Sequence, residues 1–378
     1  MKIDKEKLTK ALNQIGIFVG KNAVDKTVTL VHFRNEKNKT MMFATDLVSA
    51  GRTYFDTDEE GLFEFCIEYD QLQQTVRARG KELDATILTD VEDENGEKIS
   101  CVQFTDGKSN FKWALRAVDS LKDKEDATTV PTDATCFEVD AKTLKEAVKE
   151  AGFARNEKET QTPYITGVNF TGCGSDISIL STDRHRVAGW KNPNSETLDG
   201  MEGEQVNAIL SPKTIASINL YGDDEKVRLY IATDKIVIVS DSLEAYATKI
   251  NCGYPNVMPM FDKPITSSYK LNSKEIKESL EIVLFDNDAV EMDFRENKVS
   301  VKSRRMSGNG SFNDEFDCER LSGGDEHIIV KAKDILDIVK NVPSDNLELS
   351  FRGMDNGMKM LSYRTDDGAY GVIAPMKK

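Results

Sequence analysis

Asp183, Arg184, His185 and Arg186 stand side by side near the middle of the chain, shortly after Cys173. A carboxylate, an imidazole and a thiol so close in sequence could belong to an acid–base or nucleophilic site. The rest of the chain does not supply what such a site needs. Only three histidines occur (His32, His185 and His327), none at a metal-binding spacing such as H-E-x-x-H. There is no G-x-S-x-G, phosphate-binding glycine loop or dinucleotide fingerprint. The cluster Thr171-Gly172-Cys173-Gly174-Ser175 leads into a strand pattern rather than a helix, so a turn is the simpler reading. Six single cysteines (Cys66, Cys101, Cys136, Cys173, Cys252, Cys318) argue against a zinc site and a disulfide framework, and are expected as buried free thiols. The sequence thus predicts no catalytic residues, no metal, no cofactor and no enzyme.

The elements holding this stretch are short. Ile177-Ser178-Ile179-Leu180 reads as a strand, a polar turn follows, and Val187-Ala188 begins the return. Asp183 is placed to tie the turn through its side chain. A hairpin with solvated charges is the plain alternative.

Domain-sized repetition organises the whole chain. Asp4, Asp140 and Asn272 each stand four residues before the first apolar position of a helical face. The faces are Leu8, Ala11, Leu12 and Ile15; Leu144, Ala147, Val148 and Ala151; and Ile276, Ser279, Leu280 and Val283. Ile3, Val139 and Leu271 precede the caps, placed for hydrophobic staples. The offsets are 144 − 8 = 136 and 276 − 144 = 132 residues, too long for a solenoid. Each unit adds a second helix after an alternating strand. Phe63, Phe65 and Ile67 precede Leu72 and Val76; Val206, Ala208 and Leu210 precede Ile215 and Ile218; Ile328 and Val330 precede Ile335, Leu336 and Val339. Further strands are expected at 27–31, 86–88, 227–231, 236–239, 290–294 and 347–351. The fold class is therefore α+β, with three repeated domains, each two helices packed on antiparallel sheets. Polar or proline-rich stretches at 120–135 and 254–266 place the domains at 1–125, 126–256 and 257–378.

The 378 residues are 39% hydrophobic and 30% charged, an ordinary globular balance. No apolar run approaches the roughly 18 residues that span a bilayer, and Met1-Lys2-Ile3-Asp4-Lys5 opens no signal peptide, so a cytoplasmic protein without membrane contact is expected. The net charge of −15 disfavours a protein that grips DNA by neutralising phosphates. It permits one that only surrounds DNA with a modestly positive lining. Three domains of about 30 Å cannot enclose a duplex, whereas six could, most simply from two identical chains.

Three stretches carry a resemblance: Thr182-Asp183-Arg184-His185-Arg186-Val187, Tyr254-Pro255-Asn256-Val257 and Val372-Ile373-Ala374-Pro375-Met376-Lys377. In this order they resemble the bacterial DNA polymerase III β subunit family, the sliding clamps; the first is similar to that family's T-D-x-H-R-L/V. The resemblance implies a head-to-tail homodimeric ring, helices lining the hole and sheets outside, around duplex DNA of any sequence. It also implies a groove for short peptides of the polymerase and clamp loader. The groove residues so implied are Ile165, Thr182, Arg184, His185, Arg186, Val187, Pro255, Ala374, Pro375, Met376 and Lys377. Val187, Ile165 and the aliphatic part of Arg186 would form the floor, Thr182 and His185 the walls, and Pro255 and the C-terminal residues the two sides. The family's Y-P-D reads Tyr254-Pro255-Asn256 here and its M-P-M-R/K reads Ala374-Pro375-Met376-Lys377, so a shallower groove is expected.

For the duplex, the candidates are Lys10, Arg77, Arg79, Lys149, Tyr164, Lys213, Lys277 and Lys333. Glu146, Glu150, Glu275, Glu278 and Glu281 share these helices, and helix phase decides which charge faces the hole. With no ATP-binding motif, loading would need a clamp loader in trans. The rival reading is a protein-interaction scaffold of the same architecture that binds no DNA.

Overall fold

The computed structural model describes residues 1–21, 24–158, 161–173, 176–192, 205–284, 288–303 and 312–376. One order of elements, β-α-β-β-β-β-α-β-β-β, runs through the described chain three times. The first pass is β1 (Lys2–Asp4), α1 (Lys5–Ile15), β2 (Leu30–Glu36), β3 (Lys39–Thr45), β4 (Ser49–Asp56), β5 (Phe63–Glu68), α2 (Tyr69–Thr75), β6 (Glu82–Glu92), β7 (Lys98–Thr105) and β8 (Asn110–Ala114). A short helix α3 (Asp119–Lys122) lies in the connection. The second is β9 (Thr135–Asp140), α4 (Ala141–Gly152), β10 (Val168–Cys173), β11 (Asp176–Thr182), β12 (Arg186–Lys191), β13 (Val206–Leu210), α5 (Pro212–Ile218), β14 (Lys226–Ile231), β15 (Lys235–Val239) and β16 (Leu243–Thr248). The third is β17 (Ile265–Asn272), α6 (Ser273–Leu284), β18 (Ala289–Phe294), β19 (Lys298–Ser303), β20 (Asn313–Ser322), β21 (Glu326–Lys331), α7 (Ala332–Asn341), β22 (Asn346–Gly353), β23 (Lys359–Arg364) and β24 (Ala369–Ile373).

The helices begin where side chains can satisfy their first amides. Asp4 Oδ1 accepts from the amides of Glu6 (2.8 Å) and Lys7 (3.0 Å), and Asn272 Oδ1 from those of Lys274 (2.9 Å) and Glu275 (3.2 Å). All twelve residues of the three expected apolar faces are buried. One expected strand is different: 27–31 begins as a 3-10 turn, Lys26–Thr29, and pairs only from Leu30. Asp25 causes this, because its Oδ1 takes both the amide and the hydroxyl of Thr27 and curls the chain. The cysteines also depart from expectation. Cys66 and Cys101 are buried, but Cys136 and Cys252 are exposed, Cys136 lying on β9 at the edge of its sheet. No described helix is long and apolar enough to cross a membrane.

Two compact units result: 1–142 with 213–249, and 143–212 with 250–378. The first holds a four-stranded sheet, β1-β6-β7-β8, and an eight-stranded one, β5-β2-β3-β4-β16-β15-β14-β9. The second holds a twelve-stranded sheet, β13-β10-β11-β12-β24-β23-β22-β17-β20-β19-β18-β21. The units cut across the three repeats because sheets continue from one repeat into the next. In the first unit β4 pairs with β16 over five positions, Ser49↔Ala247 to Thr53↔Leu243. In the second, β12 pairs with β24 over five, Arg186↔Ile373 to Trp190↔Ala369. The first unit's core includes Phe33 stacked on Phe65 at 4.8 Å. The second unit packs α6 and α7 onto Tyr269, Phe294 and Phe351, rings 5.0–6.1 Å apart. Burying each such ring contributes about 2–3 kcal/mol.

Candidate peptide-binding site

The Asp183–His185 turn is built from its own side chains. Thr182 Oγ1 donates to the Arg186 carbonyl (2.6 Å) and accepts the Arg184 amide (3.1 Å). Asp183 Oδ1 accepts the amides of His185 and Arg186, both at 3.0 Å, which is the tie expected of it. Arg184 takes the left-handed conformation (φ 77°) that closes the turn. Arg184 and His185 project into solvent.

Side chains on the paired strands alternate between two faces. Thr182 lies opposite Val187, and Val187 opposite Val372. These, with Leu180 two residues before Thr182, share the face turned away from the helices. Leu180, Val187 and Val372 form an apolar cluster there that Val257, Tyr254, Phe261 and Tyr370 cover. The Tyr254 hydroxyl reaches the Leu180 carbonyl at 3.5 Å, and the Phe261 and Tyr370 rings meet edge-on at 5.1 Å. Burial pushes the Tyr254 hydroxyl pKa well up. Gly189 lets the Tyr370 ring lie flat across the sheet, since a Cβ there would stand 2.4 Å from it. The C-terminal segment then runs past the turn. The Ala374 amide donates to the His185 carbonyl (2.8 Å) and the Met376 amide to the Ile329 carbonyl (2.7 Å).

Val187 and the Tyr254–Val257 segment, which carries Pro255, thus meet at one apolar cluster with Thr182 opposite Val187, while Ala374 passes the His185 carbonyl and Met376 reaches the Ile329 carbonyl. Lys377 lies outside the described residues. Arg186 is not part of the floor. As the neighbour of Val187 on a strand it points to the opposite, helix-facing side and is only 6% exposed. Its guanidinium meets Asp337 (2.7 Å), Asp183 (3.1 Å), Asp334 (3.4 Å) and the Phe153 carbonyl (3.2 Å), and lies over the Phe153 ring. Burial works against this charge, but the three carboxylates outweigh it and raise its pKa. At Asp334 burial wins and lifts the carboxyl above its ordinary value despite Arg186, so the more exposed Asp337, with its shorter contact, is the main partner. Arg186 thus pins the turn to α7. Ile165, 1% exposed, is packed inside the unit. The sequence reasoning missed Leu180, Phe261 and Tyr370; strand alternation from Thr182 points to Leu180, whereas the other two arrive only through folding.

Of the duplex candidates, Lys10, Arg77, Arg79, Lys149 and Lys333 are exposed and Lys277 is half-exposed. Lys213 is already engaged, by Asp46 (2.8 Å) and the Ile17 carbonyl, and Lys333 by Asp337 (3.3 Å). The Tyr164 ring packs edge-on to Tyr254 at 5.7 Å. The helix phase exposes both charges, Lys149 with Glu146 and Lys274 with Glu275, Glu278 and Glu281.

The fold is that of the DNA clamps. Over 100% of this chain and 99% of theirs it matches the DNA polymerase III β subunit of Thermotoga maritima (TM-score 0.83, 17% identity) and a Pseudomonas aeruginosa sliding clamp bound to griselimycin (0.85, 14%). A Helicobacter pylori β clamp bound to a DNA ligase peptide matches over 100% of both chains (0.83, 16%). Residues 138–256 match the family model described as "DNA polymerase III beta subunit, central domain". The β sliding clamps of Streptococcus pneumoniae and Staphylococcus aureus are 21% identical over 247 and 248 residues, 63% and 64% of this chain. The chain spans 64% of the length of those relatives, slightly under two thirds. The particular family that the chain resembles is thus the bacterial DNA polymerase III β subunit, the β sliding clamp.

Proposed function

We propose that this chain is a sliding clamp: a non-catalytic, cytoplasmic processivity factor that encircles duplex DNA as a head-to-tail homodimer. On this reading it has three domains, 1–125, 126–256 and 257–378, and its outer surface at Thr182, His185, Val187, Pro255 and Met376 tethers the polymerase and the clamp loader.

The observation that carries the reading is a joint used twice and left open once. The third strand after the first helix of one repeat pairs with the last strand of the next, β4 with β16 and β12 with β24, each over five positions. By the same rule β20 should pair with a last strand, and β8 with a third. Among the described residues β8 pairs only with β7, and 313–317 of β20 only with β19, leaving two five-residue edges. Edge strands of this kind call for a partner. Copying the register gives Asn313↔Ala114, Asp314↔Trp113, Glu315↔Lys112, Phe316↔Phe111 and Asp317↔Asn110. That sets Lys112 against Glu315 and Phe111 against Phe316, pairs that attract or pack. Two copies joined this way at both ends form a closed dimer.

The test is retention on DNA. Loaded by a clamp loader and ATP, the protein should stay on a closed circular plasmid and be lost when the plasmid is cut once. Equal retention on both forms would overturn the encircling reading and favour the scaffold.

A further inference from the structure

Glu291, Asp293 and His327 meet on the solvent side of the twelve-stranded sheet. Side chains at i and i+2 of a strand share a face. Glu291 and Asp293 therefore point the same way from β18, while Val290, Met292 and Phe294 fill the core behind them. His327 lies on β21 directly opposite Asp293. No spacing in the sequence announces the group, because 34 residues separate His327 from Asp293 and only the β18–β21 pairing joins them.

The distances are those of ligand atoms. His327 Nδ1 stands 2.8 Å from Asp293 Oδ1 and 3.8 Å from Glu291 Oε1, and one donor atom of each residue lies within 4.8 Å of the other two. Donors held by zinc at about 2.0–2.2 Å sit about 3.3 Å apart in a tetrahedron, so side-chain shifts of about 1 Å close the three on one ion. Two carboxylates alone would be an ordinary solvated face. This group adds an imidazole nitrogen, and it stands on paired strands that fix its backbone. Asp293 is also oriented from outside the group: Lys302 Nζ donates to its Oδ2 at 2.7 Å and leaves Oδ1 for the ion. Metal-ligating carboxylates carry outer partners of this kind. Lys302 lies opposite Glu291 on β19, and one ammonium offsets only one of the two carboxylates. Glu291 and Asp293 are half-buried and His327 is exposed on the edge strand β21, so an ion can enter and keep water at a fourth position. One nitrogen and two carboxylate oxygens suit ions of the zinc group, whereas magnesium and calcium take oxygen ligands alone and more of them.

We propose that Glu291 Oε1, Asp293 Oδ1 and His327 Nδ1 bind one divalent transition-metal ion. The ion takes the place of the proton between His327 and Asp293 and ties β18 to β21. Ile329, two residues along β21, accepts the Met376 amide, so the ion braces the strand against which the C-terminal segment runs. The inference needs neither the ring nor the peptide groove.

The experiment titrates the full-length protein with cobalt(II) chloride, whose absorption spectrum reports its ligands, and then displaces the cobalt with zinc chloride. The exposed Cys136 and Cys252 are the rival ligands, and thiolate binding shows itself by an intense near-ultraviolet charge-transfer band. One cobalt per chain, without that band and displaced by zinc, is expected. Asp293→Asn and His327→Gln should each weaken binding at least tenfold. Zinc should raise the melting temperature of the wild type and not of these variants. Both substitutions keep a polar side chain on the sheet surface, and matching circular dichroism spectra establish that the variants fold. An affinity that both variants leave unchanged, a thiolate band at the first equivalent, or no binding at submillimolar metal overturns the inference.

Discussion

Glu150 offers a sharp test of how the second unit is packed. It lies on the buried side of α4, only 5% exposed, and its Oε2 has no hydrogen-bond partner. Burial, with Asp367 and Glu146 adding repulsion and Lys149 opposing, raises its carboxyl pKa from 4.5 to about 7. The folded state therefore holds a proton that the unfolded chain has released between those pH values, so stability falls as pH rises through this window and levels off above it. The full gap corresponds to roughly 3 kcal/mol; screening by Lys149 and by solvent near the helix leaves about 2 kcal/mol. Glu150→Gln keeps the shape and cannot ionise. In urea denaturation from pH 5 to 8.5, the wild type should lose about 2 kcal/mol relative to this variant. The two should nearly coincide at pH 5, and at pH 8 the variant should melt roughly 4–8 °C higher. Titrating groups distant from Glu150 cancel in the difference. Parallel curves, or a variant less stable at pH 8, would show that Glu150 does not sit ionised in an apolar site.

Three other outcomes follow from the geometry. Lys112→Glu should shift the dimer towards monomer in analytical ultracentrifugation, with Lys112→Glu/Glu315→Lys restoring it; no rescue by the double swap would refute the copied register. Replacing Met376 and Lys377 together, or removing the last few residues, should abolish polymerase binding in a pull-down with the dimer intact. Arg186→Ala should destabilise the second unit by about 3–5 kcal/mol, because it strands Asp334 and Asp337, and a change under 1 kcal/mol in chemical denaturation would remove its role as a pin.

Local chemistry was the legible part of the sequence. Caps at Asp4 and Asn272 and the helix faces behind them depend on residues within one or two turns of each other, so spacing alone located them. Thr27–Val31 misled because β-branched residues there look like a strand, while one aspartate hydrogen bond decides otherwise. At the candidate site the tie expected of Asp183 is present, whereas Arg186, which the resemblance implies for the floor, is turned towards the helices. Adjacency on a strand means opposite faces, and only the Thr182↔Val187 register shows which face Arg186 takes. The packing of Tyr164 on Tyr254, ninety residues further along, is likewise invisible to local spacing.

The joints and the apolar clusters beside them have one origin. Pairing the third strand after one helix with the last strand of the next repeat sets a tight turn beside a strand end, on the face turned from the helices. The chain linking the two repeats must then cross that face, and it brings Leu121 and Ala127 in one case, Val257 and Phe261 in the other. An apolar cluster with a turn on one flank and a departing strand on the other is the necessary product. Two joints inside the chain therefore yield two such clusters, with Arg184 and His185 at one turn tip and Leu47 and Val48 at the other. A joint between two copies has no linking chain to cross it. On the proposed register its outer face would be covered only by what β8 and β20 themselves carry there, Asn110, Lys112 and Ala114 against Asp317, Glu315 and Asn313. Five of the six are polar, which suits a face left open to water.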